Sequence, residues 1–145
     1  MNKQRPSPFN LGFTGTQRGA TSAQLQTLIR LLTVGRWSCP DRFHLGYCVG
    51  ADVQAAHLAY GYGITCVGHP PSNDTRRAYF EHYLTTYEPK PYLERNREIV
   101  DACDALIACP RLSTEETRSG TWATIRYAKD RRKTVIIILP NGGLK

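Results

Sequence analysis

Short apolar runs alternate with stripes of helical period along this chain. FNLGFTG, 9–15, reads as a strand running into a glycine turn. Over 21–35, Leu25, Leu28, Ile29 and Leu32 fall at the spacing of one helix face, with Thr21 or Ser22 as a cap and Gly35 as a stop. RFHLG, 42–46, reads as a second strand. A helix follows over 51–63, where Ala55, Ala56 and Ala59 permit close packing, and ITCVG, 64–68, is a third strand. A helix over 91–104 starts near Pro91, where a missing N–H costs least. The strand 105–109, a helix over 119–132 and the strand 134–139 complete the series. This order predicts one Rossmann-like domain over 1–145: a three-layer α/β/α fold with a mostly parallel five-stranded sheet covered on both faces.

The stretch 68–91 interrupts the alternation. Asn73 or Asp74 could cap a short helix over 75–84, bracketed by prolines. As a long excursion at one end of the sheet it is either a lid or plain surface. Its Tyr79, Phe80, Tyr83 and Tyr87 could stack on a base or anchor the excursion to the body.

Sheets of this kind bind ligands at the carboxyl ends of their strands, near the point where strand order reverses. That singles out the loops 14–20, 46–52, 68–91 and 110–120. In the first, Gly12, Gly15 and Gly19 accompany Thr14, Thr16 and Arg18, a set able to hold a phosphate or simply to turn the chain. In the second, Gly50 precedes Asp52, which is either a helix cap or an acceptor for a ribose hydroxyl or a catalytic carboxylate. In RNREIVDACD, Arg95, Asn96 and Arg97 open a helix. Arginine's planar fork suits phosphate, while Arg97 and Asp101, four apart, could instead form a surface ion pair. Ser119, Gly120 and Thr121 begin the last helix, as a plain cap or as an anion site built on free first-turn N–H groups.

Composition narrows the partner. The 145 residues are 41% hydrophobic and carry a net charge of +7, which suits a globular domain with an anionic ligand. The densest basic cluster, Lys129 and Arg131 to Lys133, either complements a helix dipole or forms a nucleic-acid patch. The longest apolar run, 135–139, is too short to span a bilayer, and the N-terminus lacks the apolar core of a secretory signal, so a cytoplasmic protein without membrane contact is expected. The five cysteines have no paired spacing and the four histidines no ligand-like cluster, so reduced, mostly buried thiols are expected, with no metal and no resident cofactor.

The stretches GFTGTQRG, HLGYCVGAD, GHPP, RNREIVDACDALIACP and RSGTWATIRYA, in this order, resemble the SLOG superfamily. That group includes the LOG phosphoribohydrolases, the DNA-processing protein A domain and small stand-alone members of bacteria and phages. The resemblance covers about 9–140 and implies a nucleotide or related phosphorylated ligand at the edge already singled out, with His69 of the GHPP stretch among the binding residues. The phosphoribohydrolase pattern has a catalytic glutamate shortly after the threonine, where this chain has Trp122, Ala123 and Thr124. The Arg-Asn-Arg and Ser-Gly-Thr pairing is closer to the DNA-processing branch. Related domains are often dimeric, so a homo-oligomer is expected.

Three functions follow. The leading one is binding of a nucleotide or nucleotide-derived signal, such as a nucleoside monophosphate, an ADP-ribose derivative or a cyclic dinucleotide, to sense or sequester it. The second is cleavage or exchange of an N-glycosidic bond, with Asp52, Glu98 or Asp101 as the carboxylate near an oxocarbenium-like centre. The third is single-stranded nucleic-acid binding, drawing on Arg76, Arg77 and the tyrosine-rich excursion.

Overall fold

The computed structural model describes residues 5–73 and 75–145. Six strands, β1 (Asn10–Gly15), β2 (Arg42–Gly46), β3 (Cys66–His69), β4 (Tyr83–Thr86), β5 (Ala105–Cys109) and β6 (Thr134–Ile137), form one sheet in the order β4-β3-β2-β1-β5-β6. Every pairing between them is parallel. Among the described residues, four helices connect them: α1 (Ser22–Thr33), α2 (Ala51–Gly61), α3 (Tyr92–Ala102) and α4 (Gly120–Asp130). The chain winds outward from β1 through β4, then returns across the sheet to β5. Right-handed crossovers therefore put α1 and α2 on one face and α3 and α4 on the other. The reversal falls between β1 and β5, where Gly15 lies beside Cys109 at the carboxyl end.

Burial explains why the strands are strands. Leu11, Phe13, Phe43, Leu45, Leu106 and Ile107 are fully buried, as expected of a sheet covered on both faces. Helix α1 begins with a reciprocal capping box between Thr21 and Gln24. The Gln24 amide is itself buried and donates to the carbonyls of Pro110 (3.0 Å) and Ile138 (2.8 Å), which seats α1 against the ends of β5 and β6. Small side chains let α2 lie close on the sheet: Ala51, Ala55, Ala56 and Ala59 are all fully buried.

The sheet has six strands where the sequence predicts five, because the 68–91 excursion contributes β4 and not a helix over 75–84. The Asn73 side chain accepts from the Thr75 amide (3.0 Å) and hydroxyl (2.7 Å), forming a local turn in place of a helix start. Asp74 lies outside the described residues. The next residues pair with the β2–α2 loop, through Val49 N–H to the Arg76 carbonyl and Ala78 N–H to the Tyr47 carbonyl, both at 2.9 Å. Phe80 is buried in the core and Tyr83 packs against it, so these two aromatics anchor the excursion, while Tyr79 is exposed.

The basic cluster after α4 is partly occupied within the fold. Lys133 donates to the Cys103 carbonyl (2.8 Å), and Arg131 lies 3.4 Å from Asp101. Asp101 also accepts from the Tyr127 hydroxyl, and Arg97 lies over the Tyr127 ring, so of the two alternatives for Arg97 the ion pair with Asp101 is not formed. Cys48, Cys66, Cys103 and Cys109 are buried and unpaired. Among the described residues, no helix is long and apolar enough to cross a membrane.

Candidate functional site

A cleft of about 810 Å³ opens at the carboxyl ends of β1 and β5. Its walls are the β1–α1 turn, the start of α2, the start of α3 and the β5–α4 loop running into α4. This is the edge that the strand-order rule selects.

The start of α2 depends on Gly50, which stands at φ +85° and ψ −131°, a backbone state only glycine adopts freely. A Cβ there would lie within 2.7 Å of the Thr16 carbonyl oxygen. The close approach lets the Ala51 N–H donate to that carbonyl at 2.9 Å, locking the β1–α1 turn to α2. Gly50 is thus the N-cap, and Asp52 stands in the first helical turn without capping it. Its side chain turns instead to the cleft floor.

Asp52 and Arg95 are buried together there, at 6% and 3% exposure. Gly46 leaves the room: a Cβ on it would lie 2.7 Å from Asp52 Oδ2 and 2.8 Å from Arg95 Cζ. Burial pushes the Asp52 carboxyl up to about 7, against the pull of Arg95 and of hydrogen bonds from Cys48. The Arg95 guanidinium donates from Nε to Asn96 Oδ1 (2.8 Å), from Nη1 to the His69 carbonyl (3.2 Å) and from Nη2 to Cys48 Sγ (3.4 Å). It also lies over the Tyr92 ring at 4.8 Å. The Tyr92 hydroxyl meets Cys48 Sγ at 3.0 Å and accepts from Gln17. A cation buried to this depth, braced on several sides and lining an open cleft, is prepared to meet an anion.

Opposite stands the start of α4. Ser119 is the cap, accepting from the Trp122 N–H at 3.2 Å. Gly120 and Thr121 line the cleft, and first-turn N–H groups have no partner within a helix. In the β1–α1 turn, by contrast, most N–H groups are engaged: Thr16 donates to the Cys109 carbonyl, Gly19 to the Thr16 carbonyl and Arg18 to Thr16 Oγ1. That wall offers side chains more than backbone. Among the described residues, five arginines line the cleft, Arg18, Arg76, Arg95, Arg111 and Arg118, against two carboxylates, Asp52 and Glu116. Glu116 is paired with Arg111 at 2.6 Å, and among the described residues Arg76 donates to the neutral Gln17 amide. The cleft is strongly cationic.

Of the residues singled out from sequence, Thr14, Gly15, Thr16, Arg18, Asp52, Arg95, Asn96, Ser119, Gly120 and Thr121 meet here. Gly50 supports the cleft from behind. Gly12 lies inside β1, beside His44 and Leu106, with its α-carbon facing Cys103 and Ile99 of the packed interior. Arg97 and Glu98 face a separate surface groove with Lys90 and Asp101. His69 is fully buried: His69 Nδ1 lies 2.7 Å from Glu98 Oε1 and Nε2 lies 2.9 Å from His44 Nδ1. Glu98 is paired on its other oxygen with Lys90. The cleft also draws in Gln17, Cys48, Tyr92, Ile99, Arg111 and Arg118, which sequence reading did not name as ligand contacts. Arg111 and Arg118 fall within the loop 110–120 that the fold rule had marked.

No family model matches this chain, and no curated protein matches it. Solved structures do. The molybdenum cofactor binding protein from the phototrophic bacterium Rippkaea orientalis aligns over 94% of this chain and 77% of its own, at 22% identity and a TM-score of 0.66. The Moco carrier protein from Chlamydomonas reinhardtii aligns over 91% of this chain and 76% of its own, at 21% identity and a TM-score of 0.61. The chain shares their Rossmann-like fold.

Proposed function

We propose that this protein binds a small phosphorylated ligand in the cleft between β1 and β5, and that the ligand is a nucleotide or a similar phosphorylated heteroaromatic molecule. The observation that carries the reading is Arg95, a buried guanidinium facing the free start of α4 across an open cleft. Of the three segments that carry the resemblance to the SLOG superfamily, Gly50–Asp52, Arg95–Arg97 and Ser119–Thr121, the residues Asp52, Arg95, Asn96 and Ser119–Thr121 line this one place, while Arg97 faces the outer groove. The two solved neighbours, a molybdenum cofactor binding protein and a Moco carrier protein, support a ligand of this general kind. Of the carboxylates considered for turnover, Glu98 and Asp101 face the outer groove and only Asp52 lines the cleft, so binding is the reading that asks least of the site, and Asp52 is the residue that base release would implicate.

The test is calorimetry with nucleoside mono- and diphosphates, the molybdenum cofactor and a short oligodeoxynucleotide, with chromatography of each mixture afterwards. Saturable binding of an intact small phosphorylated compound is the expected result. Base release would turn the reading to N-glycoside chemistry. Binding confined to the oligonucleotide and lost steeply with salt would turn it to single-stranded DNA.

Asp52 gives the cleft a pH dependence. Below about 7 its carboxyl is protonated and one negative charge leaves the floor. Sulfate, whose charge is constant between pH 5 and 8, should therefore bind more tightly as pH falls through 7, by about tenfold for one charge at short range in a partly buried site. In Asp52→Asn the affinity should stay near the low-pH value throughout. A wild-type affinity that is flat with pH would contradict this placement of Asp52.

A further inference from the structure

The cleft floor is braced by a chain of side chains that takes no part in lining it. Asn10 Oδ1 lies 3.0 Å from His44 Nε2, His44 Nδ1 lies 2.9 Å from His69 Nε2, His69 Nδ1 lies 2.7 Å from Glu98 Oε1, and Glu98 Oε2 meets Lys90. The chain crosses from β1 through β2 and the end of β3 to α3. His69 is its centre and is wholly buried, with the Tyr87 ring stacked on it at 4.1 Å. Two buried histidines and a carboxylate are an expensive choice where apolar residues would fill the space, unless their geometry is used.

The use is visible in what His69 touches. Its ring holds Glu98, and its main-chain carbonyl accepts from Arg95 Nη1 at 3.2 Å. Arg95 and Glu98 are three residues apart on α3, so one residue grips that helix at two points, one of them the guanidinium of the cleft. Arg95 Nε is held at the same time by its neighbour Asn96, which lies beside Gly120 at the start of α4. Losing the ring's bond to Glu98 removes one of His69's two holds on α3 and leaves only the main-chain one, on the Arg95 guanidinium.

We propose that His69 is a positioning residue for the anion site: its ring, bonded to Glu98, and its carbonyl, bonded to Arg95, together fix the guanidinium that a bound anion must meet. This rests on the cleft being the binding site. Glu98 is suited to the part, because the hydrogen bonds from Lys90 and His69 outweigh partial burial and hold its carboxyl below the usual range, ready to accept from His69 Nδ1–H.

Two substitutions separate positioning from packing. In His69→Asn the amide nitrogen takes the place of Nδ1 and can still donate to Glu98, whereas in His69→Gln the amide reaches the place of Nε2, where its oxygen can accept from His44, and the bond to Glu98 is lost. Positioning predicts that Asn keeps sulfate affinity within about twofold, while Gln loses about tenfold, the effect of one hydrogen bond to a charged group. Packing alone predicts the reverse order, since Asn leaves the larger void. Glu98→Leu, at a side chain only partly buried, leaves the core intact and should reproduce the loss seen in Gln. Equal affinities in wild type, His69→Gln and Glu98→Leu would overturn the proposal, as would a greater loss in Asn than in Gln. Absence of any sulfate or phosphate binding by the wild type would overturn the cleft reading itself, and this inference with it.

Discussion

Arg95→Met is expected to weaken binding of a phosphorylated ligand about 100-fold while the chain stays folded. Truncating one buried, hydrogen-bonded charge at a binding site costs roughly 2–5 kcal/mol, and each 1.4 kcal/mol is tenfold in affinity. The guanidinium is 3% exposed and held by Asn96, His69 and Cys48, so water cannot readily replace it. Losing a buried cation would normally strand its carboxylate. Here Asp52 already titrates at about 7 and can take up a proton, so most of that penalty is avoided. Calorimetry with the preferred ligand, beside a thermal melt, checks both parts. Unchanged affinity in a folded variant would remove Arg95 from the site.

Gly50→Ala should destabilise the protein by about 3 kcal/mol or more, among the larger effects of adding one methyl group. The backbone at φ +85° is strained for any L side chain, and the new Cβ would fall 2.5 Å from the Gln17 carbonyl carbon. Both the start of α2 and the β1–α1 turn would have to move, breaking the Ala51–Thr16 hydrogen bond. Gly61 is the control. It ends α2 with open space around it, so Gly61→Ala should be neutral or slightly stabilising. Urea melts of the two variants give the comparison, and equal midpoints would contradict the role assigned to Gly50.

The framework was largely legible because its signals are local. The strand at 105–109 is legible at its observed bounds, since five apolar residues ending in a turn leave little alternative. β4 is not. YLTT is a short edge strand among polar and proline-rich neighbours, and its register with β3 shifts between Cys66 and Val67. Its pairing is a tertiary event with no period of its own to detect. The same divide runs through the site. The loops are predictable from strand order, but Arg95, Asn96 and Arg97 stand in sequence as one run, with Glu98 as a separate carboxylate beside it. On α3, Tyr92, Arg95, Asn96 and Ile99 face the cleft, while Glu94, Arg97, Glu98 and Asp101 face elsewhere. A helix turns about 100° per residue, so adjacent positions part company. The contact of His69 with Glu98, across 29 residues, left no trace in spacing.

Because the strand order reverses between β1 and β5, the cleft is assembled from opposite halves of the chain: the turn after β1 and the first turn of α2 on one side, α3, the β5–α4 loop and the start of α4 on the other. Neither half holds a partial site that could work alone. Long-range pairing of this kind carries a large loop-closure cost, so the cleft forms only as β5 docks beside β1. A ligand that binds there meets only the finished fold. It should act as a clasp between the halves, slowing cleavage by proteases at the 68–91 excursion even though, among the described residues, that segment contributes only Arg76 to the cleft lining.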